Sequence, residues 1–548
     1  MMRRVGLLIV LAGLVLAGAA LVGANAQANG SDFFTPGNLL VSRSVYDDNA
    51  ANVSVGETLP PGCTSGCGSA VADGSYPQVF NNDSVDGSFG ITSKVFLDQL
   101  TPSGALVNSL EVPNSTDNGV PPTKDQMVTS FSSKSELALN LSTDGNDVTF
   151  MGYLAPVDAL DVSNSNTPGV VDPSNPVPSS YYRVVADVDA HGKFRFSKTN
   201  AYSGNNGRAA ILNAADNVLY TAGNAGNGGS PQPDGIITST GAQLVAPQVK
   251  ALVAQDPGDA TPVGSFNITQ LGDAADKIGK DTNFRGLTIN NNVVYFSKGS
   301  GSNGVNTVYY IDTKGGTCPN GSGLPAAGAA LPTAPIAYDP SLVASEGVTP
   351  YNMCVLNGFP TSLAKAKKPA PMFPFGIWFA SPTVVYVADE GNGTNTYSTT
   401  TGAYTADAGQ TTAGLQKWIL TNGAWKLAYT LQAGLNLGTP YTVAGYPSGT
   451  NGDGSNGTTG LPWAPATDGL RNLTGHVNSG GTATIWAVTS TVSGSGDQGA
   501  DPNKLVSITD NLAATTLPTG ESFSTIDNAA NGQVLRGVSF TPGTTPQT

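Results

Sequence analysis

Short apolar runs, separated by turns rich in Asn, Asp, Gly and Ser, recur along this chain in pairs. One pair reads RAAILNAADNVLYTAGN from Arg208 and the next RGLTINNNVVYFSKGS from Arg285. Further copies read FGIWFASPTVVYVADEGN from Phe375 and LRNLTGHVNSGGTATIWAVTS from Leu470, with a looser one, ELALNLSTDGNDVTFMGY, from Glu136. Each is an apolar β-run, a polar turn, a second β-run and an exit of small residues, and a unit recurring at wide intervals marks a repeat architecture. Alternating hairpins lie between the copies: VFLDQLTPSGALVNSLEVP from Val95, YYRVVADVDAHGKFRFSK from Tyr181 and LQKWILTNGAWKLAYTL from Leu415. The last turns at Asn422-Gly423, the strongest short hairpin signal.

A repeat phrase (strands A and B) plus a hairpin (strands C and D) makes a four-stranded antiparallel sheet, the blade of a β-propeller. Five units start near Glu136, Arg208, Arg285, Phe375 and Leu470. The sixth is divided between the chain ends. LRGVSFTP, Leu535 to Pro542, is a first strand without a second, and FTPGNLLVSRSVYDD, from Phe34, is a second without a first. Joining them closes the ring and removes exposed sheet edges. The expectation is an all-β, six-bladed propeller closed by pairing N- and C-terminal strands. Seven blades are the alternative, with an extra sheet between Ala242 and Leu271. The surplus length falls in insertions at about 47–90, 163–180, 312–374 and 435–467.

Composition agrees. With 68 Gly, 37 Pro and only 12% charged residues, the chain has many turns and too few Lys, Glu and Arg to cover long helices. No linker divides residues 27–548, so one domain is expected. Residues 1–26 read as a signal peptide: Arg3 and Arg4, an apolar run from Val5 to Val22, then Ala24-Asn25-Ala26 as a small-x-small cleavage site. No later stretch is apolar enough to span a bilayer, so the expected location is secreted, periplasmic or at the cell surface. A net charge of −14 without Lys/Arg clusters argues against nucleic acid as a partner. Four cysteines in an exported chain suggest two disulfides, and proximity favours Cys63–Cys67 and Cys318–Cys354.

In a propeller the starts of the inner strands and the B–C loops open on one face. Four inner-strand starts carry arginine: Arg208, Arg285, Arg471 and Arg536. Glu136 occupies the corresponding place in one blade and Pro374 in another. Guanidinium forks suit carboxylate, phosphate or sulfate, which makes an anion-recognition ring the candidate site. The competing reading is structural, each Arg fastening its blade to the next through Asp or backbone carbonyls. The B–C loops also carry oxygen donors, chiefly Asp389, Glu390 and Asn392, with Asp47, Asp48, Asp497 and Asp501 behind them. These could ligate calcium, although no Asp-x-Asp-x-Asp-Gly loop is present. Nucleophilic catalysis lacks a Gly-x-Ser-x-Gly elbow, and His191 and His476, the only histidines, fall in or near turns away from the Arg face. Trp378, Phe379, Trp418 and Trp425 read as blade packing, and Trp463 in a loop as either ordinary or a glycan-stacking platform.

VVYVADEGN (Val384 to Asn392) followed by GLQKWIL (Gly414 to Leu420) resembles an NHL-type repeat, with partial copies at Tyr220-Thr-Ala-Gly-Asn224 and Tyr295-Phe-Ser-Lys. The phrase Ser135-Glu136, Ser142, Asp144-Gly145 and Gly152-Tyr153 is similar to one in exported bacterial propeller proteins. The resemblance implies a propeller and leaves activity open. The leading expectation is a non-catalytic binder of an anionic small molecule, glycan or protein ligand at the channel mouth, such as a carboxylated sugar, a peptide terminus or a protein loop. The alternative is a calcium-dependent lactonase- or lyase-type propeller enzyme with its metal at the same mouth.

Overall fold

In the computed structural model, six small antiparallel sheets stand around a central channel. The structure describes residues 32–59, 68–69, 76–78, 91–115, 126–131, 133, 136–159, 182–199, 201–202, 205–224, 240–247, 262–274, 283–299, 304–334, 352–366, 372–452, 459–495 and 499–547. The leader at 1–26, the pair Cys63 and Cys67, and the insertion at 163–180 lie outside the described residues.

Blade one orders its strands Asn140–Leu141, Asp147–Tyr153, Arg183–Asp189 and Phe194–Thr199 from the channel outward. Blade two follows with Gly207–Asn213, Val218–Gly223, Ala242–Val245 and Pro262–Gly264. The segment that suggested a seventh sheet thus supplies the outer half of blade two. Blade three is Leu287–Asn290, Val293–Lys298, Thr307–Ile311 and Met353–Leu356, with Ser322–Gly323 added in parallel at its edge. Its fourth strand corrects the reading of 312–374 as pure insertion: Met-Cys-Val-Leu is too short to stand out in a Gly/Pro/Ala-rich stretch. The Cys318–Cys354 disulfide ties that stretch to the strand. Blade four is Pro374–Ser381, Val384–Asp389, Gly414–Thr421 and Ala424–Leu431, and blade five is Ala466–Val477, Thr482–Val492, Lys504–Asn511 and Ser524–Asn528.

Blade six closes the ring. Its inner strand Gln533–Phe540 pairs antiparallel with Leu39–Val45, with Leu39 opposite Phe540, and Thr92–Leu100 and Leu106–Glu111 complete the sheet. The split sixth blade is therefore as the sequence implied. Asn422 and Gly423 both take left-handed φ, 52° and 77°, as a two-residue hairpin turn needs.

The core lies between blades, so a strand's two faces are both buried. Met151 and Val185 of blade one pack on Ala210 and Leu219 of blade two. Tyr220, Tyr309 and Val387 join blades two, three and four. Tyr386 and Ile485 join four to five, Trp486 and Val538 five to six, and Leu40 and Phe150 six to one. Successive residues point to opposite neighbours. Leu219 faces blade one while Tyr220 faces blade three, which is why the B strands read as unbroken apolar runs.

The inner strands approach so closely that small residues are required between them. A Cβ on Gly286 would lie 1.9 Å from the Phe375 carbonyl oxygen, and one on Gly376 would lie 2.7 Å from that of Arg471. These contacts also set the register between blades. Phe375, preceding Gly376 as Arg285 precedes Gly286, is the residue level with the arginines, so Pro374 is corrected to Phe375. Likewise Ala138 bridges Ala209, which sets Leu137 level with Arg208 and places Glu136 one residue upstream.

Candidate functional site

At the channel mouth where the inner strands begin, three of the four arginines come together. Arg208 lies in the field of Arg285, Glu390 and Glu136, and Arg285 in that of Glu390 and Arg471. Glu390 is their common counter-ion: Arg471 Nε donates to its Oε2 at 3.3 Å, while Arg285 Nη2 stands 3.8 Å from its Oε1, an ion pair too long for a hydrogen bond. The side chains of Arg285 and Glu390 are 12% and 11% exposed, so water screens the group little.

Arg208 is a fastener as well as a charge. Its Nη1 donates to Asn283 Oδ1 and to the Phe284 carbonyl at 2.8 Å, across to the start of blade three. No carboxylate among the described residues is in ion-pair contact with it, and burial followed by the nearby Arg285 charge pushes it down to about 9. Burial also lowers Arg285, against the pull of Glu390. The Nε atoms of both are enclosed and have no hydrogen-bond partner.

Arg536 plays a different part. Its Nε donates to Ser44 Oγ at 3.0 Å and its Nη2 to the Phe131 carbonyl, stitching the closing strand to the strand beside it and to the segment leading into blade one. Glu136 is buried and accepts from Thr129 Oγ1 at 2.8 Å, Ser130 N at 3.2 Å and Asn206 Nδ2 at 3.0 Å. Arg536 and Arg208 fasten neighbouring segments, Arg285 and Arg471 face a shared carboxylate, and Arg208 feels Glu390 without contact to it.

Among the described residues the acidic oxygen donors do not converge, and Asp497 lies outside them. Asp389 is fully enclosed and accepts from Phe373 N at 2.8 Å, Gly391 N at 3.0 Å and Gln416 Nε2 at 3.0 Å. Burial raises it to about 7. Glu390 serves the arginines, and Asn392 Oδ1 caps Thr394 N at 2.8 Å. Asp501 accepts from Ser493, Ser495 and Tyr446. Among the described residues, the group of potential ligands that does cluster is Asp312 with Cys318 and Cys354, whose sulfurs are bonded to each other.

Several participants carried no sequence signal. Behind Glu390 a carboxyl pair, Asp407 and Asp468, is shielded from solvent. Gln410 Nε2 donates to Asp468 Oδ1 at 2.5 Å and Gly393 N to Oδ2 at 2.8 Å. Burial, then the neighbouring Asp468, raises Asp407 to about 9. Arg183, wholly buried, donates to the Asn205 carbonyl and lies over the Tyr153 ring. Trp463 is 8% exposed against Tyr446 and Tyr76, which removes it as an open stacking platform. Trp418 stacks on Phe359, and Trp425 packs edge-on against Phe379, as blade packing requires. His191 sits in its exposed C–D turn beside Asp32, and exposed His476 borders the opposite mouth.

No family model and no curated protein matches this chain. Solved structures similar to it include acylaminoacyl peptidase of Pyrococcus horikoshii, at 7% identity over 79% of this chain and 41% of that one, TM-score 0.27. The N-terminal domain of Nup159 matches at 7% identity over 93% and 97%, TM-score 0.28. An extracellular domain of a hybrid two-component system from B. thetaiotaomicron matches at 7% identity over 81% and 60%, TM-score 0.22. This chain spans less than half the length of the peptidase. Blade count and chemistry rest on the sheet topology and contacts above, not on these likenesses.

Proposed function

We propose that this protein is an exported, non-catalytic propeller, of NHL-like bacterial type, that binds a carboxylate-bearing ligand at the mouth formed by Arg208, Arg285 and Arg471. The observation that carries the reading is the sharing of Glu390. Two largely enclosed guanidiniums lean on one carboxylate, one of them at 3.8 Å without a hydrogen bond, beside a third with no carboxylate in contact among the described residues. Buried cations are costly unless paired and hydrogen-bonded. A ligand carboxylate entering here would meet donors already held in place, in a site where a charge-assisted fork is stronger than in water. Asp389, near 7, adds only partial negative charge around neutrality.

Trigalacturonate is a suitable probe, with neutral trigalactose as its control, in isothermal titration calorimetry. The reading expects the acidic sugar to bind, to weaken with added salt and to lose binding in a folded Arg285→Met/Arg471→Met protein. Equal binding of both sugars, or undiminished binding by the variant, would overturn it.

A further inference from the structure

The opposite mouth has contrasting chemistry. There the inner strands end and the A–B turns gather into a funnel of about 1770 Å³, larger than the roughly 300–1,000 Å³ of a drug-sized site. Among the described residues, no lysine or arginine lines it. Its two carboxylates are held by neutral neighbours and keep their charge: Asp144 accepts from Ser142 and Asn146, and exposed Asp216 from Asn213. With exposed His476 also on its border, the wall carries carboxylates and a histidine but no permanent cation to recognise an anion.

It offers amides and aromatic surface instead. Asn291 and Asn292 form a tight turn at the rim, both exposed and both left-handed at φ 50° and 57°. On the inner strand of the adjacent blade Trp378 is half-buried, and its six-membered ring lies so close over Gly475 that a Cβ there would come within 2.5 Å of it. Tyr386 stacks behind it at 5.8 Å, which holds the indole in one orientation. Phe540, packed edge-on to Trp486, is a second half-exposed ring. Half-exposed rings held in place beside hydrogen-bonding amides and carboxylates match a pyranose, which presents a C–H face and neutral hydroxyls. An extended peptide would instead seek free strand edges, whereas turns and strand ends make up this wall.

We infer that the A–B-turn funnel is a second binding site, for a neutral oligosaccharide several residues long, independent of the arginine mouth. The test measures quenching of tryptophan fluorescence by maltohexaose, cellohexaose, laminarihexaose and mannohexaose. At least one is expected to bind with an affinity insensitive to 1 M NaCl. Trp378→Ala should weaken it by about tenfold or more. Because that variant disturbs packing on Tyr386, Asn291→Gly/Asn292→Gly is the second probe: glycine keeps the turn while deleting both amides, and binding should fall at least about threefold. Arg285→Met should leave it unchanged. Binding by none of the four sugars, or binding that survives both funnel variants or disappears with Arg285→Met, would overturn the assignment.

Discussion

Replacing Glu390 by Gln separates a mouth held ready for an anion from one that is merely fastened. The change keeps size and an acceptor oxygen but deletes the charge that Arg285 and Arg471 share at 3.8 and 3.3 Å. With an effective dielectric of about 20, each pair is worth about 4–5 kcal/mol of attraction before desolvation. Removing one partner of a buried pair leaves the other uncompensated, a net loss of about 3–5 kcal/mol. If the ring unfolds as one unit with about 2.1 cal/mol/K of entropy per residue, 1 kcal/mol corresponds to about 1 °C. The expected fall in Tm is therefore about 3–5 °C. A ligand that binds only the native state returns stability as RT ln(1 + [L]/Kd). Citrate at constant ionic strength should therefore raise the Tm of Glu390→Gln more than that of the native protein, because it supplies the missing carboxylate. Differential scanning fluorimetry reads both quantities. A variant with unchanged Tm, or one destabilised but indifferent to citrate relative to chloride, would refute the reasoning.

Other consequences are as direct. Lys417 and Asp510 are both fully enclosed at 2.9 Å, with Tyr429 bonded to each, so Lys417→Met should cost about 3–5 kcal/mol in urea unfolding and Lys417→Met/Asp510→Asn should recover part of it. Asp407, raised to about 9, binds its proton more tightly folded than unfolded; the native state holds the extra proton, and the stability it confers is complete below pH about 4 and lost as pH rises through about 9. The urea midpoint should thus decline from pH 5 to pH 8, and Asp407→Asn should flatten that decline. Cys318→Ser/Cys354→Ser opens a loop with a sequence separation of 36, for which loop entropy predicts about 3–4 kcal/mol of lost stability by the same assay.

The ring was legible because its physics is local and repeated. Strands such as Val384–Asp389 bury both faces, which writes them as unbroken Val/Tyr/Ala runs, and Asn422-Gly423 names its own turn. The half-blades at Leu39 and Leu535 revealed closure because neither makes sense alone. What the sequence does not show depends on contacts between distant segments. Nothing around Glu390 says that Arg285 and Arg471 reach it, and DEGN reads equally as a turn or a calcium loop. Phe375 rather than Pro374 stands level with the arginines because register between blades is set by backbone contacts at Gly286 and Gly376. The funnel is hidden for the same reason: Asn291 and Asn292 are ordinary turn formers, and only the convergence of several distant turns makes a wall of them.

The central claim is that the arginine mouth has unspent capacity for an anion. Anomalous diffraction from crystals soaked in selenate tests it most directly. The account predicts a selenium peak between Arg208, Arg285 and Arg471, with an oxygen within hydrogen-bond distance of a guanidinium nitrogen of Arg285 or Arg471. Absence of a peak there, with both Arg285 and Arg471 closed in hydrogen bonds on Glu390, would contradict it.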